Sequence, residues 1–128
     1  MASEKDQVII YLDQLIASTA KDTVAWAKAN PTTYVWHPPQ QGGSKIIIQR
    51  IERVTNILEA DPRGGARRRI DNDFVFQVLD PASVEKLLVD GRNDPVFNAK
   101  LKTLFEGIES SLTRKGLSFF KSILPPAP

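Results

Sequence analysis

The chain predicts an α+β domain: a four-stranded antiparallel sheet, a meander of two hairpins, with a long N-terminal helix and C-terminal helices packed on it. Three observations carry this. Apolar residues at helical spacing are confined to the two ends, β-branched and aromatic residues concentrate in the middle, and Pro, Gly and Asn clusters punctuate that middle. A chain of 128 residues with 41% hydrophobic content can bury about two thirds of its unfolded surface around one core, so residues 1–128 read as a single domain.

At the N-terminus, Ser3 followed by Asp6 gives a capping-box signal. Val8, Ile9, Leu12, Leu15, Ile16, Thr19, Thr23 and Trp26 then follow one helical stripe. This predicts a first helix that stops near Asn30, because Pro31 has no amide to continue the ladder and pushes its predecessor out of the helical region. Thr32 to His37 reads as a strand, with Tyr34 and Trp36 on one face and Val35 on the other. Pro38 to Gly43 is a turn by composition, and Lys45 to Val54 is the returning strand. Ile46 and Ile48 share a face while Ile51 does not, which suggests a bulge near Gln49 and Arg50.

Periodicity vanishes from Asn56 to Arg69, where Asp61, Pro62, Gly64 and Gly65 mark a mobile loop. Ile70 to Asp80 is a third strand, with Phe74, Phe76 and Val78 on one face and Val75 and Leu79 on the other. Pro81 to Ser83 turns into Val84–Asp90, a fourth strand, with a helical turn as the alternative because Leu88 breaks the alternation. Asp94 before Pro95 is a cap followed by proline at the first helical position, opening an amphipathic helix through Phe97, Leu101, Leu104, Phe105, Ile108 and Leu112. Gly116 suits a left-handed helix end, so a separate short helix is expected over Leu117–Leu124 before a proline-rich tail at 125–128.

Composition excludes several chemistries. With no cysteine, the chain has no disulfides, thiolate nucleophiles or sulfur-bound zinc, which is compatible with a reducing, cytoplasmic location. The charged N-terminus and the short apolar runs predict neither a signal peptide nor a membrane span. A net charge of +2 implies no acidic partner by itself. No cofactor and no resident metal is expected.

Four features could carry function. Arg63, Arg67, Arg68 and Arg69 could grip phosphates, although Asp71 and Asp73 follow at once and solvated loop charge is the plainer reading. Trp26, Tyr34 and Trp36 could stack on bases, making Tyr34 and Trp36 candidate nucleic-acid contacts, but aromatics so placed more often build a core. His37 stands without a nucleophile-elbow pattern, and the pairs Asp71 and Asp73 or Glu106 and Glu109 fit solubility better than two-carboxylate or Mg²⁺ chemistry, so no catalytic residue is assigned. Finally, apolar residues on both faces of the third strand mean that something covers the outer face, either a helix of this chain or another subunit. Val75 and Leu79 there, with Phe120 and Ile123 of the last helix, are the candidate protein-interaction residues.

Leu15, Thr19, Thr23 and Trp26, then Tyr34, the Gly42–Ile48 turn and strand, the Asp73–Asp80 strand and the Leu101–Phe105 helix occur in an order that resembles small prokaryotic and mobile-element α+β proteins. The resemblance implies a bacterial or phage origin and carries no activity with it; the Arg-rich segment Asn56–Arg69 departs from that pattern. The expectation is a non-enzymatic protein-interaction or assembly domain that self-associates, with nucleic-acid binding as the alternative.

Overall fold

The computed structural model describes residues 3–40, 42–57 and 67–126, with the side chains of 56, 57, 67 and 68 outside that description. Helix α1 (Glu4–Ala20) is followed by five strands, β1 (Ala27–Asn30), β2 (Thr33–Trp36), β3 (Lys45–Ile57), β4 (Arg67–Leu79) and β5 (Glu85–Asp90), and by helix α2 (Pro95–Ile123). The strands pair antiparallel in chain order. The architecture is therefore α+β as expected, but with five strands instead of four and two helices instead of three.

Both differences have local causes. Helix α1 begins on the expected capping box: the Asp6 amide donates to Ser3 Oγ at 3.1 Å and the Ser3 amide to Asp6 Oδ2 at 3.4 Å. It ends ten residues before Asn30, at Ala20, where Asp22 adopts φ 61° and the chain turns back. The Thr23 amide and hydroxyl both donate to the Ser18 carbonyl, and the buried Trp26 indole donates to buried Thr19 Oγ1 at 3.1 Å. Thr19, Thr23 and Trp26 thus do gather, through a reversal of the chain. The released residues form β1, and Pro31 sits in the turn of the β1–β2 hairpin, where Asn30 Oδ1 accepts from the Thr32 amide.

At the other end, Asp94 Oδ1 accepts from the Val96 and Phe97 amides, and Pro95 opens α2 as expected. No break occurs at Gly116: α2 runs unbroken to Ile123, and Leu124 before Pro125 ends it. Glycine inside a helix costs about 1 kcal/mol relative to alanine, which does not by itself terminate one. The expected bulge near Gln49 is also absent, since β3 and β4 stay in register from Lys45 opposite Leu79 to Ile57 opposite Arg67. Ile51 simply faces the outer side, opposite Asp73. Strand pairing extends into both flanks of the expected loop, at Asn56–Ile57 and Arg67–Arg69, while residues 58–66 lie outside the described residues.

One cross-strand row, Tyr34–Ile48–Phe76–Val89, is buried throughout and packs with Leu101, Leu104, Phe105 and Ile108 of α2. Each such side chain contributes about 1.5–3 kcal/mol by leaving water. The Phe105 ring meets Tyr34 and Phe74 with centroids 4.9 and 5.3 Å apart, near the tilted geometry that aromatic pairs prefer. Helix α1 lies parallel to α2, tied by Lys5–Asp94, Lys100–Asp13 and Arg114–Asp22 ion pairs at 2.8, 2.8 and 2.7 Å, and it packs on α2 more than on the sheet.

Where β5 ends, a 3₁₀ turn (Gly91–Asn93) brings the chain against α2. Asn98 Oδ1 accepts from the Phe74 amide at 2.9 Å, extending the edge of β4 where β5 has stopped. A Cβ on Gly91 would collide with Asn98 Oδ1 and come within 2.8 Å of the Phe74 carbonyl oxygen. Gly91→Ala is therefore expected to destabilise by about 1–3 kcal/mol, as overpacking does, seen as a lower urea midpoint at unchanged m-value. The Arg114 guanidinium holds the Asp22 carboxyl at about 2, below the ordinary 3.8. The folded chain therefore binds this proton less tightly than the unfolded chain, so the stabilisation is complete above 3.8 and fades as the pH falls toward 2. In an acid-unfolding titration, Asp22→Asn is expected to be less stable than wild type at neutral pH and to lose that difference across this window.

Candidate functional site

Of the sequence-derived nucleic-acid candidates, only Arg69, Tyr34 and Trp36 have described side chains, and these three do not lie together. Arg63 lies outside the described residues, and Arg67 and Arg68 begin β4 opposite Ile57 and Asn56. Arg69 is exposed and donates to Asp71 Oδ1 at 3.1 Å. On the same outer face, Arg53 Nη2 lies 3.8 Å from Asp71 and its Nε 3.7 Å from Asp73, so these guanidiniums already face carboxylates. Tyr34 is only 4% exposed and sits against Phe105; burial pushes its phenol above the ordinary range. Its ring is core and offers no stacking face. Trp26 is likewise buried, 6.0 Å between centroids from a half-buried Trp36.

Of the chemical candidates, Asp71 and Asp73 share the outer face beside Arg53, away from the others. His37 is exposed just past β2, and Glu106 and Glu109 are exposed on α2 with Lys102 at 4.0 Å from Glu106. Among the described residues no group of three or more His, Cys, Asp or Glu is arranged to hold a metal ion, and no helix is long and apolar enough to cross a membrane.

Three apolar surfaces are left instead. Both helices cover the inner face of the sheet, so no described element covers the outer one. There the row Val35–Ile47–Gln77–Leu88 runs across four strands, next to Val75 and Leu79; Leu88 is exposed and the others are half-buried. Of the two explanations the sequence left for apolar residues on both faces of β4, cover by a helix of the described chain is the one that does not occur.

The second surface is the end of α2. Helix α2 has 29 residues and α1 has 17, about 43 and 25 Å at 1.5 Å per residue. The last hydrogen bonds from α2 to the start of the chain, among the described residues, are Arg114 on Asp22 and Lys115 Nζ on the Val24 carbonyl, at 3.1 Å. From Gly116 to Ile123 the helix overhangs by about 12 Å. Leu117, Phe119, Phe120, Ile123 and the following Leu124 are each between 50% and 67% exposed. Phe119 and Ile123 continue the Leu101–Phe105–Ile108–Leu112 stripe at helical spacing, so the face that builds the core runs on past the core. Phe120 and Ile123, both singled out from the sequence, belong to this overhang.

The third surface was not legible in the sequence. Helix α1 stands off the sheet and leaves an open groove of about 440 Å³, within the ~300–1,000 Å³ range of ligand and anchor sites. Its floor is the row next to the buried one, Trp36–Ile46–Val78–Leu87, and its wall is Val8, Tyr11, Leu15 and Ser18 of α1. Gln14, Thr23 and Gln40 supply neutral polar groups, and no charged side chain lines it. No family model matches this chain, and neither a curated protein nor a solved structure does.

Proposed function

We propose that this chain is a non-enzymatic assembly domain that self-associates through apolar surface. The observation that carries the reading is the overhang of α2, whose apolar side chains are each at least half exposed. A helix end that only had to be solvated would tolerate lysine, glutamate or serine at every one of those positions. Contiguous exposed apolar surface is instead what interaction sites present. The apolar patch of Val35, Ile47, Val75 and Leu79 on the outer face of the sheet supports the same reading. A net charge of +2 opposes association only weakly.

Nucleic-acid binding is a second reading, favoured by one observation. Ile51–Ile57 and Arg67–Asp73 form a two-stranded ribbon about 20 Å long, on which Val54 and Ile70 are exposed and whose far end carries Arg67 to Arg69. Two-stranded ribbons fit nucleic-acid grooves. The carboxylates of Asp71 and Asp73 beside Arg53 and Arg69 rank it second.

In sedimentation velocity, the wild type is expected to sediment faster with increasing concentration. Phe119→Ser, Phe120→Ser and Ile123→Ser together should weaken that association at least about tenfold, the scale of losing an apolar anchor, with helix content by circular dichroism retained. A wild type that stays monomeric over the whole range overturns the reading. For the alternative, anisotropy of labelled single- and double-stranded oligonucleotides should show no binding at near-physiological salt. Salt-sensitive binding that disappears when Arg67, Arg68 and Arg69 are changed to serine would reverse the order of the two readings.

A further inference from the structure

We infer that the groove between α1 and the sheet is the acceptor for the α2 overhang of a second copy of this chain. The inference rests on the self-association reading and names its two halves. The groove follows α1 from Val8 to Ser18, about 15 Å, and the overhang from Gly116 to Ile123 is about 12 Å. A helix lying along the mouth would present Phe119, Phe120 and Ile123 at the i, i+1 and i+4 positions that anchor a helix in an apolar cleft.

The chemistry agrees on both sides. The groove is lined by aliphatic and aromatic side chains with neutral polar groups at intervals, so charged residues find no partner there. The overhang offers aliphatic and aromatic side chains with Ser118 and Ser122 between them, and Lys121 as its one cation. An unbroken helix from Pro95 to Ile123 cannot fold its last turns back into the groove of its own chain, so the donor is another molecule. A small apolar ligand would fill the groove but leave the overhang in water, whereas a second copy removes both surfaces at once. Such a contact joins two different patches, so it either closes reciprocally into a dimer or continues from copy to copy.

The test is complementation by sedimentation velocity. Ser18→Trp fills the groove from α1; Leu87→Arg, at an exposed floor position, is the second groove variant should the first fold poorly. Phe119→Ser with Ile123→Ser disables the overhang. Each class of variant alone should be monomeric where wild type associates, and a one-to-one mixture of a groove variant with the overhang variant should recover a heterodimer at higher concentration than wild type needs, because one intact groove and one intact overhang remain and form one contact in place of two. Groove variants that associate like wild type, with only the overhang variant monomeric, would overturn the groove assignment while leaving self-association through the overhang standing. A monomeric wild type whose tryptophan emission shifts with added decanoate would overturn both and make the groove a small-molecule site.

Discussion

The buried stripe of α2 is the surface on which the rest of the molecule is registered. Leu101, Leu104, Phe105 and Ile108 are at most 2% exposed, and they meet the Tyr34–Ile48–Phe76–Val89 row on one side and α1 on the other. The magnitudes say which interactions hold the fold and which only direct it. Four such side chains contribute about 1.5–3 kcal/mol each, whereas exposed ion pairs such as Lys5–Asp94 and Lys100–Asp13 contribute about 0–1 kcal/mol. Packing therefore holds the two helices and the sheet together. The ion pairs and the Asn98 bond to the Phe74 amide select the position of one element along another.

The groove follows from this division of labour. Helix α1 is attached sideways to α2, and the turn at Asp22 returns the chain directly into β1. Trp26 fills the space under the end of α1, where its indole bonds Thr19. Nothing comparable fills the space farther along, over Trp36, Ile46, Val78 and Leu87. A row that in most α+β domains would lie beneath a second helix is left open to solvent on one side.

How much of this was legible in the sequence depended on whether the governing contact was local. Asp94 before Pro95, Ser3 with Asp6 and the alternation of Phe74, Val75, Phe76 and Val78 are local signals, and the two helix starts and the facing of β4 stand as expected. The end of α1 was misplaced because Thr19, Thr23 and Trp26 satisfy helical spacing and also a reversal closed by an indole–hydroxyl bond; periodicity alone does not separate the two. Gly116 resembles a cap by its place in the sequence, but a cap needs a left-handed backbone, and among the described residues no glycine of α2 has a positive φ. For the surfaces, Phe120, Ile123, Val75 and Leu79 could be flagged because apolar residues recur where an element already has a buried face. The groove could not, because its lining comes from α1 and four different strands, which no local pattern brings together.

The overhang and the groove also bear on why a fold would leave so much apolar surface outside. Phe119, Phe120 and Ile123 are each more than half exposed and belong to no buried cluster, so the stability of the monomer places little demand on them. Their helical spacing does continue the core stripe, and an exposed stripe of that kind risks nonspecific association. The groove supplies a specific alternative: one uncharged acceptor of matching length, on the same chain and out of reach of its own donor. Burying several large side chains there, at about 1.5–3 kcal/mol each, is set against the roughly 4–15 kcal/mol of lost freedom on association. The balance is narrow for a single contact and favourable when two contacts close reciprocally, because the second forms without a second loss of translational freedom. A closed pair is therefore the form in which this chain hides both surfaces at the smallest entropic cost, whereas an open series always leaves one groove and one overhang exposed at its ends.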